Sequence, residues 1–309
     1  MSSIRYILLF IFFFPQILIA QLELNNAQKL TEIDFISDTQ QPMKIEQLVL
    51  KSNHNIKATS LLFTEILKVK PACLYMLGDV VSLGYRNNRW NKVDVFLDSC
   101  RKQNIAVFGT MGNHDVMGRK NKGERNFNKR FPENVRTGYV SIIDSVAVIL
   151  LNSNFSKLSQ VDNKKQISWY KTTLDTLDSD AAIKVIIVCC HHAPYSNSSI
   201  VKSSILVRQN FVPPYIKSKK AKLFITGHAH AFEHFNINGK HFLVVGGGGG
   251  LHQPMNKSSN DMLDLSADYK PLFHYLSILK YPTQLKITSI FLKENFDGFG
   301  TGDSFNISL

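Results

Sequence analysis

A chain of 309 residues in which 44% of the side chains are hydrophobic has ample material for a buried core, which excludes a disordered polypeptide and leaves one large domain or two small ones. A formal charge of +12 favours anionic partners without choosing among phosphorylated small molecules, nucleic acid and an acidic surface.

Residues 1–20 carry Arg5, an apolar run over 6–14, Pro15 and a cleavage point after Ala20, the pattern of a secretory signal peptide. Leu18 is larger than the small residue preferred three places before a cleavage, so an uncleaved anchor is the alternative. The apolar run is shorter than the roughly 20 residues needed to span a bilayer, and no later stretch is long and apolar enough. A secreted or periplasmic protein is expected. Its four cysteines would then meet an oxidising compartment. Cys189 and Cys190 are adjacent in an expected strand and point to opposite faces, so Cys73 with Cys100 is the expected pair if one forms, and core filling is the other reading.

Residues 32–37 (EIDFIS) read as a strand ending at Asp38. From 44 to 69 apolar residues recur at helical spacing, among them Ile45, Leu48, Leu62 and Ile66. Residues 74–77 form a short strand that delivers Gly78 and Asp79. Residues 90–104 form a second helix with Val93, Phe96 and Leu97 on one face, and 105–108 a strand that runs into FGTMGNHD, residues 108–115. Such alternation predicts a layered α/β fold whose polar clusters gather at the carboxyl ends of the strands. The basic, apolar-poor stretch 119–136 is expected to be an exposed loop. Residues 140–143 and 146–151 resemble a hairpin around Asp144 and Ser145, 167–177 is helical, and 183–190 is an apolar strand ending at His191. Residues 222–226 lead into GHAH, and 241–245 lead into five glycines, 246–250. That run lacks the Lys-Ser/Thr of a phosphate loop and the helix of a dinucleotide site. It either lets backbone pass close to a site or merely turns a strand. The tail, 271–309, alternates like antiparallel strands. With no linker or repeat in the chain, residues 21–309 are expected to be a single domain.

Five of these strands end in ligand-type residues: SDTQ (37–40), GD (78–79), GNHD (112–115), HHAP (191–194) and GHAH (227–230). Carboxylates at Asp38 and Asp79, an amide oxygen at Asn113 and imidazoles at His191, His228 and His230 suit two metal ions about 3.5–4 Å apart, an arrangement that hydrolyses phosphate esters near neutral pH. Oxygen mixed with nitrogen favours Mn, Fe or Zn over calcium. His54, His234, His241, His252 and His274 are read as core or surface residues.

The ordered set resembles the calcineurin-like metallophosphoesterase superfamily, including its purple acid phosphatase branch, whose signature is D-x-H, G-D, G-N-H-(D/E), a His before a nearby proline, and G-H-x-H. The resemblance implies a four-layer sandwich of two mixed β-sheets flanked by helices, with two divalent metal ions as cofactors. It places Asp38 and His230 on the first metal, Asp79 between both, and Asn113, His191 and His228 on the second. It also puts His114 on the phosphate as proton donor and Asp115 behind that ring, with a metal-activated hydroxide as nucleophile. HHAPYS compared with the family's HHPPYS favours His191 over His192, which then lines the site or faces solvent. Gln40 stands where the family has the His of D-x-H, either as an oxygen ligand or as a partner of bound water. Ser82 stands where purple acid phosphatases have tyrosine, so no purple ferric site is expected. The implied function is hydrolysis of a phosphate monoester or diester by a metallophosphoesterase. A phosphorylated small molecule or other anion would be the substrate, and nucleic acid would enter only as a substrate. The alternative is an extracellular anion-binding module that keeps the metal site with little or no turnover.

Overall fold

The chain alternates strands and helices in the order β1 (Thr31–Ile36), α1 (Asn55–Val69), β2 (Cys73–Met76), α2 (Asn91–Lys102), β3 (Ala106–Gly109), α3 (Lys120–Asn128), β4 (Tyr139–Ile143), β5 (Val146–Leu150), α4 (Gln160–Ser179) and β6 (Val185–Cys189). It continues through α5 (Ile205–Asn210), α6 (Val212–Lys217), β7 (Ala221–Thr226), β8 (Phe232–Ile237), β9 (Lys240–Val245), β10 (His274–Lys280), β11 (Gln284–Leu292) and β12 (Phe299–Ser308). This computed structural model describes residues 30–256, 262–266 and 272–309. The expected signal peptide, residues 1–20, lies outside the described residues, as does part of the segment after the glycine run. Among the described residues no helix is long and apolar enough to cross a membrane.

The strands form two mixed six-stranded sheets, ordered β12-β11-β10-β1-β2-β3 and β4-β5-β6-β7-β9-β8. Central strands read as unbroken apolar runs because both faces are covered: VAVIL in β5 and VIIVC in β6 are buried at every position. Their alternate residues feed different layers. Ile187 and Cys189 join Phe35, Tyr75 and Ile225 in the core between the sheets, while Ile186, Val188 and Cys190 pack on Tyr170, Leu174 and Phe211 of the helical layer outside. On the other sheet α1 and α2 supply the outer layer, the latter through Val93, Phe96, Leu97 and Cys100, which helical spacing brings to one face. The result is the four-layer α/β sandwich that the sequence leads one to expect. α4 starts where the Ser159 hydroxyl accepts from the Asp162 amide, an N-cap that ends the preceding loop.

Parallel pairing is what positions chemistry. β1, β2 and β3 run parallel with Ile36 beside Met76 and Met76 beside Gly109, and β6, β7 and β9 run parallel with Cys189 beside Ile225 and Thr226 beside Val244. The strand ends therefore meet at one edge. Main-chain bonds hold them there: Asp38 N donates to Gly78 O (3.0 Å), Gly227 N to His191 O (2.9 Å) and Gly250 N to Asp38 O (2.9 Å).

Three expectations about local structure change. The helix expected over 44–69 begins only at Asn55; before it lies a single 3-10 turn, Glu46–Leu48. Apolar spacing alone does not register that Asn55 spends its side chain elsewhere, its oxygen accepting from Asn53 N (2.8 Å) and its nitrogen donating to Gly249 O (2.9 Å) and Gly250 O (2.8 Å). The stretch 119–136 is not a loop, since α3 occupies its first half. Phe127 and Phe131 anchor it in the core beside Trp90, and Arg130 lies over the Trp90 ring at 4.3 Å while gripping Asp94 with two bonds of 2.6 and 2.7 Å. Finally, Cys73 and Cys100 do not pair: Cys73 lies between the sheets, Cys100 in the outer layer, and all four cysteines are buried free thiols.

Candidate metal centre

Three of the residues that the sequence nominates as ligands sit at strand ends in left-handed backbone: Asp38 (φ 59°) after β1, Asp79 (φ 47°) after β2 and His228 (φ 69°) after β7. A side chain in that region of backbone space is disfavoured, and such residues persist where their surroundings enforce them, commonly at functional sites. Here the turn aims each side chain inward. The approach is close enough that a Cβ on Gly112 would collide with the Asp79 carboxylate and one on Gly250 with the His230 ring, which explains glycine at both places.

The ring tautomers follow from their partners. A carbonyl oxygen only accepts, so an imidazole nitrogen facing one must carry the hydrogen. His191 Nδ1 faces Leu77 O at 3.0 Å and His230 Nδ1 faces Leu251 O at 2.6 Å, which leaves both Nε2 atoms turned into the cluster. This is the arrangement in which an outer partner orients a ligating imidazole. His191 Nε2 lies 3.2 Å from Asn113 Oδ1 and 3.3 Å from Asp79 Oδ2. His230 Nε2 lies 3.4 Å from Asp38 Oδ1, a buried oxygen that accepts no hydrogen bond. Gln40 joins this end: with its nitrogen donating to Asp38 O (3.0 Å) and Asp79 O (2.9 Å), its oxygen faces His230 Nε2 at 3.2 Å. The remaining oxygens are tied to backbone, Asp38 Oδ2 to His228 N (2.9 Å) and Asp79 Oδ1 to His114 N (2.7 Å).

Two overlapping groups have ligand geometry. One oxygen from each of Asp38 and Asp79 and a His191 nitrogen lie within 4.8 Å of one another, and so do ring nitrogens of His191, His192 and His228. Burial pushes the Asp79 carboxyl up, but the imidazoles of His191 and His114 outweigh it and hold that carboxyl well below the usual range. Burial likewise works to lower His191, yet the carboxylates of Asp79 and Asp38 push it up to about 9. His228 moves the other way, lowered by burial and by His192 and His191. Buried carboxylates facing buried imidazoles, with an unpaired oxygen on Asp38, fit divalent cations by donor type and by unmet valence.

His114 stands at the rim. Its Nδ1 faces Ser82 O at 3.2 Å, so Nε2 is the free nitrogen, 3.6 Å from Glu46 Oε1 and 3.9 Å from Asp79 Oδ2. Asp115, expected to orient that ring, does something else. It accepts from the amides of Gly112 (2.9 Å), Val81 (3.2 Å) and Val80 (3.4 Å), pinning the loop after β3 to the loop after β2. Burial and Asp79 push its carboxyl up to about 7 against those amides.

The structure thus brings together Asp38, Gln40, Asp79, Asn113, His191, His228 and His230, with His114 beside them. Two neighbours complete the surroundings, His192, for which lining the site was one of two readings, and Glu46, which was not anticipated. His192 faces inward, its Nδ1 on the Ser153 hydroxyl at 2.8 Å and its ring centroid 4.5 Å from that of His228; burial and His191 push it down to about 3. Strict alternation would have turned it away, but the strand has already ended at Cys189. Glu46 carries no motif, and nothing in the sequence marks it.

The fold recurs in solved structures of low sequence identity. A purple acid phosphatase from yellow lupin (Lupinus luteus) matches with a TM-score of 0.67 at 15% identity over 91% of this chain and 54% of its own, so this chain spans about half the length of that protein. GAP50, the anchor in the inner membrane complex of Plasmodium, matches with a TM-score of 0.64 at 14% identity over 89% of each chain. A dimetal phosphatase from Danio rerio matches with a TM-score of 0.56 at 13% identity over 90% of this chain and 98% of its own. No curated protein matches the chain in sequence. The family model for calcineurin-like phosphoesterases matches residues 31–232, a span that holds every residue of the cluster from Asp38 to His230, and on that match the chain belongs to the calcineurin-like phosphoesterase family.

Proposed function

We propose that the protein is a metal-dependent hydrolase of phosphate monoesters or diesters, with Asp38, Gln40 and His230 holding one divalent cation, Asn113, His191 and His228 a second, and Asp79 reaching both. The observation that carries this reading is the buried, unpaired Asp38 Oδ1 beside imidazoles whose Nδ1 atoms are committed to carbonyl oxygens. Cations bound there supply Lewis acidity and an activated nucleophile at neutral pH. The chain's own part is orientation and proton handling. Leu77 O and Leu251 O fix two rings, and the Asp79 carboxylate is kept ionised by its neighbours. In the imidazolium form of the ring, His114 Nε2, the ring atom left free by Ser82 O, is placed to hand its proton to the departing oxygen. The secretory pattern of residues 1–20 supports export as part of this proposal.

The test is phosphate release from a chromogenic monoester and a chromogenic diester by the full chain, before and after exhaustive chelation, with Mn²⁺ or Zn²⁺ restored afterwards. Turnover that disappears on chelation, returns with metal and accompanies two bound ions per chain is expected. Turnover that persists without metal would exclude the reading.

A further inference from the structure

The candidate centre opens into a cavity of about 300 Å³, within the range of small-ligand sites. One side is the cluster itself, represented by Asp79, Asn113, His228 and His230. Most of the remaining lining is aliphatic: Val49 and Leu50 from the connection between β1 and α1, Ile200 and Val201 from the loop after β6, and Leu251 at the end of the glycine run, with Gln253 beside it. Two of these are left in water, Val49 at 77% exposure and Ile200 at 46%, and the turn before Val49 also exposes Ile45 and Leu48. Aliphatic side chains gathered exposed at the mouth of a polar site mark a surface meant to be covered.

Charge at the mouth is equally specific. The chain as a whole carries +12, yet among the described residues lining this cavity there is no lysine or arginine. The one charged side chain among those described lining residues, beyond the cluster and His114, is Glu46, held by a 2.5 Å bond from Met43 N to Oε2 while Oε1 faces the His114 ring. Among the described lining residues, a substrate with several phosphoryl groups would meet no cation for the second group and a carboxylate in its place. Like charges so juxtaposed reject a ligand rather than weaken it slightly.

We propose that the site takes esters with a single phosphoryl group whose alcohol portion is uncharged and apolar, and that Glu46 rejects esters whose alcohol portion bears further negative charge. The inference rests on the hydrolase reading only for where the phosphoryl group sits. The aliphatic wall then receives the alcohol portion, and Glu46 sits where that portion leaves the cluster.

The test uses binding as well as turnover. Methyl-, propyl- and hexylphosphonate, and a carboxyl-terminated analogue of the hexyl compound, are titrated into the metal-loaded full chain by calorimetry, and phosphate release is measured from the matching alkyl phosphates. Affinity should rise roughly two- to fourfold per methylene until the wall is covered, the gain expected for burying CH₂ groups. The carboxylated analogue should bind at least about tenfold more weakly than its neutral counterpart. Glu46→Gln should erase that penalty and keep the chain-length slope, Glu46→Asp should retain the penalty, and joint Val49→Ser and Leu50→Ser replacement should flatten the slope with the penalty intact. Affinity that ignores chain length, or a carboxylated analogue that binds as well as the neutral one, overturns the proposal. A clear slope without any turnover supports it and counts against the hydrolase reading instead.

Discussion

The strand ends after β1, β2, β6 and β7 gather Asp38, Asp79, His191, His228 and His230, while the paired strands β8 and β9 gather His234 and His241 against Asp303 of β12. Residue types are the same in both places. In the second cluster His234 Nδ1 meets Asp303 Oδ2 at 2.7 Å, His234 Nε2 meets His241 Nδ1 at 2.9 Å, His241 Nε2 lies 3.4 Å from Asn236 Nδ2, and Phe305 stacks on both rings at 4.3 and 4.8 Å. Every ring nitrogen there has a partner, and none of the three residues adopts positive φ. In the first cluster the buried Asp38 Oδ1 accepts no hydrogen bond, though His230 Nε2 approaches to 3.4 Å, and three residues hold left-handed backbone. Imidazole beside carboxylate therefore does not identify a site. Valence left unmet after the protein has folded, together with strain kept in the backbone, does.

The contrast is most easily broken by exchanging one carboxylate in each cluster. Asp79→Asn should lower metal-dependent turnover by on the order of 10³-fold, because it removes the one carboxylate that faces His191 and His114 together. Asp303→Asn should leave turnover unchanged and cost about 1–3 kcal/mol of stability, the usual result of disturbing a hydrogen bond to a buried partner. Steady-state kinetics and urea denaturation on the same two variants decide it. If Asp303→Asn abolished turnover, the division between a saturated and an unmet cluster would be wrong.

A smaller effect separates two ways of burying an acid. Glu233 has its own donors, the Ser196 hydroxyl at 2.7 Å and the Asn197 amide at 2.6 Å, but among the described residues no imidazole placed like those beside Asp79, and burial pushes it up to about 7. Because the folded state binds this proton more tightly than the unfolded chain, stability is greatest below about pH 4.5 and falls as pH rises toward 7. The loss is on the order of 3 kcal/mol for a shift of this size. Glu233→Gln should remove that slope, read as the difference in urea midpoint between wild type and variant at pH 5 and pH 8. An unchanged slope would mean that the two donors suffice to keep the carboxylate charged.

How much of this was legible beforehand depends on range along the chain. A layered α/β fold was readable from β1-α1-β2-α2-β3 and from the apolar runs of β5 and β6, since alternation and unbroken burial are local properties of sequence, whereas the two-sheet sandwich came only with the family resemblance. The members of the cluster were readable because each follows a strand and a glycine or small residue. What stayed hidden was settled by partners far away. Asn55 answers to the glycine run 194 and 195 residues later, His192 to Ser153, and the His114 ring to a main-chain carbonyl that has no signature in any alphabet of side chains. α3 was missed because composition counts charges, whereas Phe127 and Phe131 decide where the segment goes.

Gln40 offers the finest test of what an unmet valence means, since it replaces the imidazole of the family's D-x-H cluster. Its nitrogen is committed to the carbonyl oxygens of Asp38 and Asp79, so its oxygen cannot turn away from His230 without leaving two hydrogen bonds. If that oxygen contributes to a cation beside Asp38 and His230, Gln40→Ala should weaken one of two metal-binding steps by about tenfold, the low end for losing an oriented partner at a metal, and leave the other step as it was. Isothermal titration of the metal-free chain with Zn²⁺ resolves the two steps. Equal weakening of both would reassign Gln40 to holding the loops after β1 and β2 together, because a loosened loop moves Asp38 and Asp79 at once, whereas a lost oxygen is felt only at the end of the cluster where it pointed.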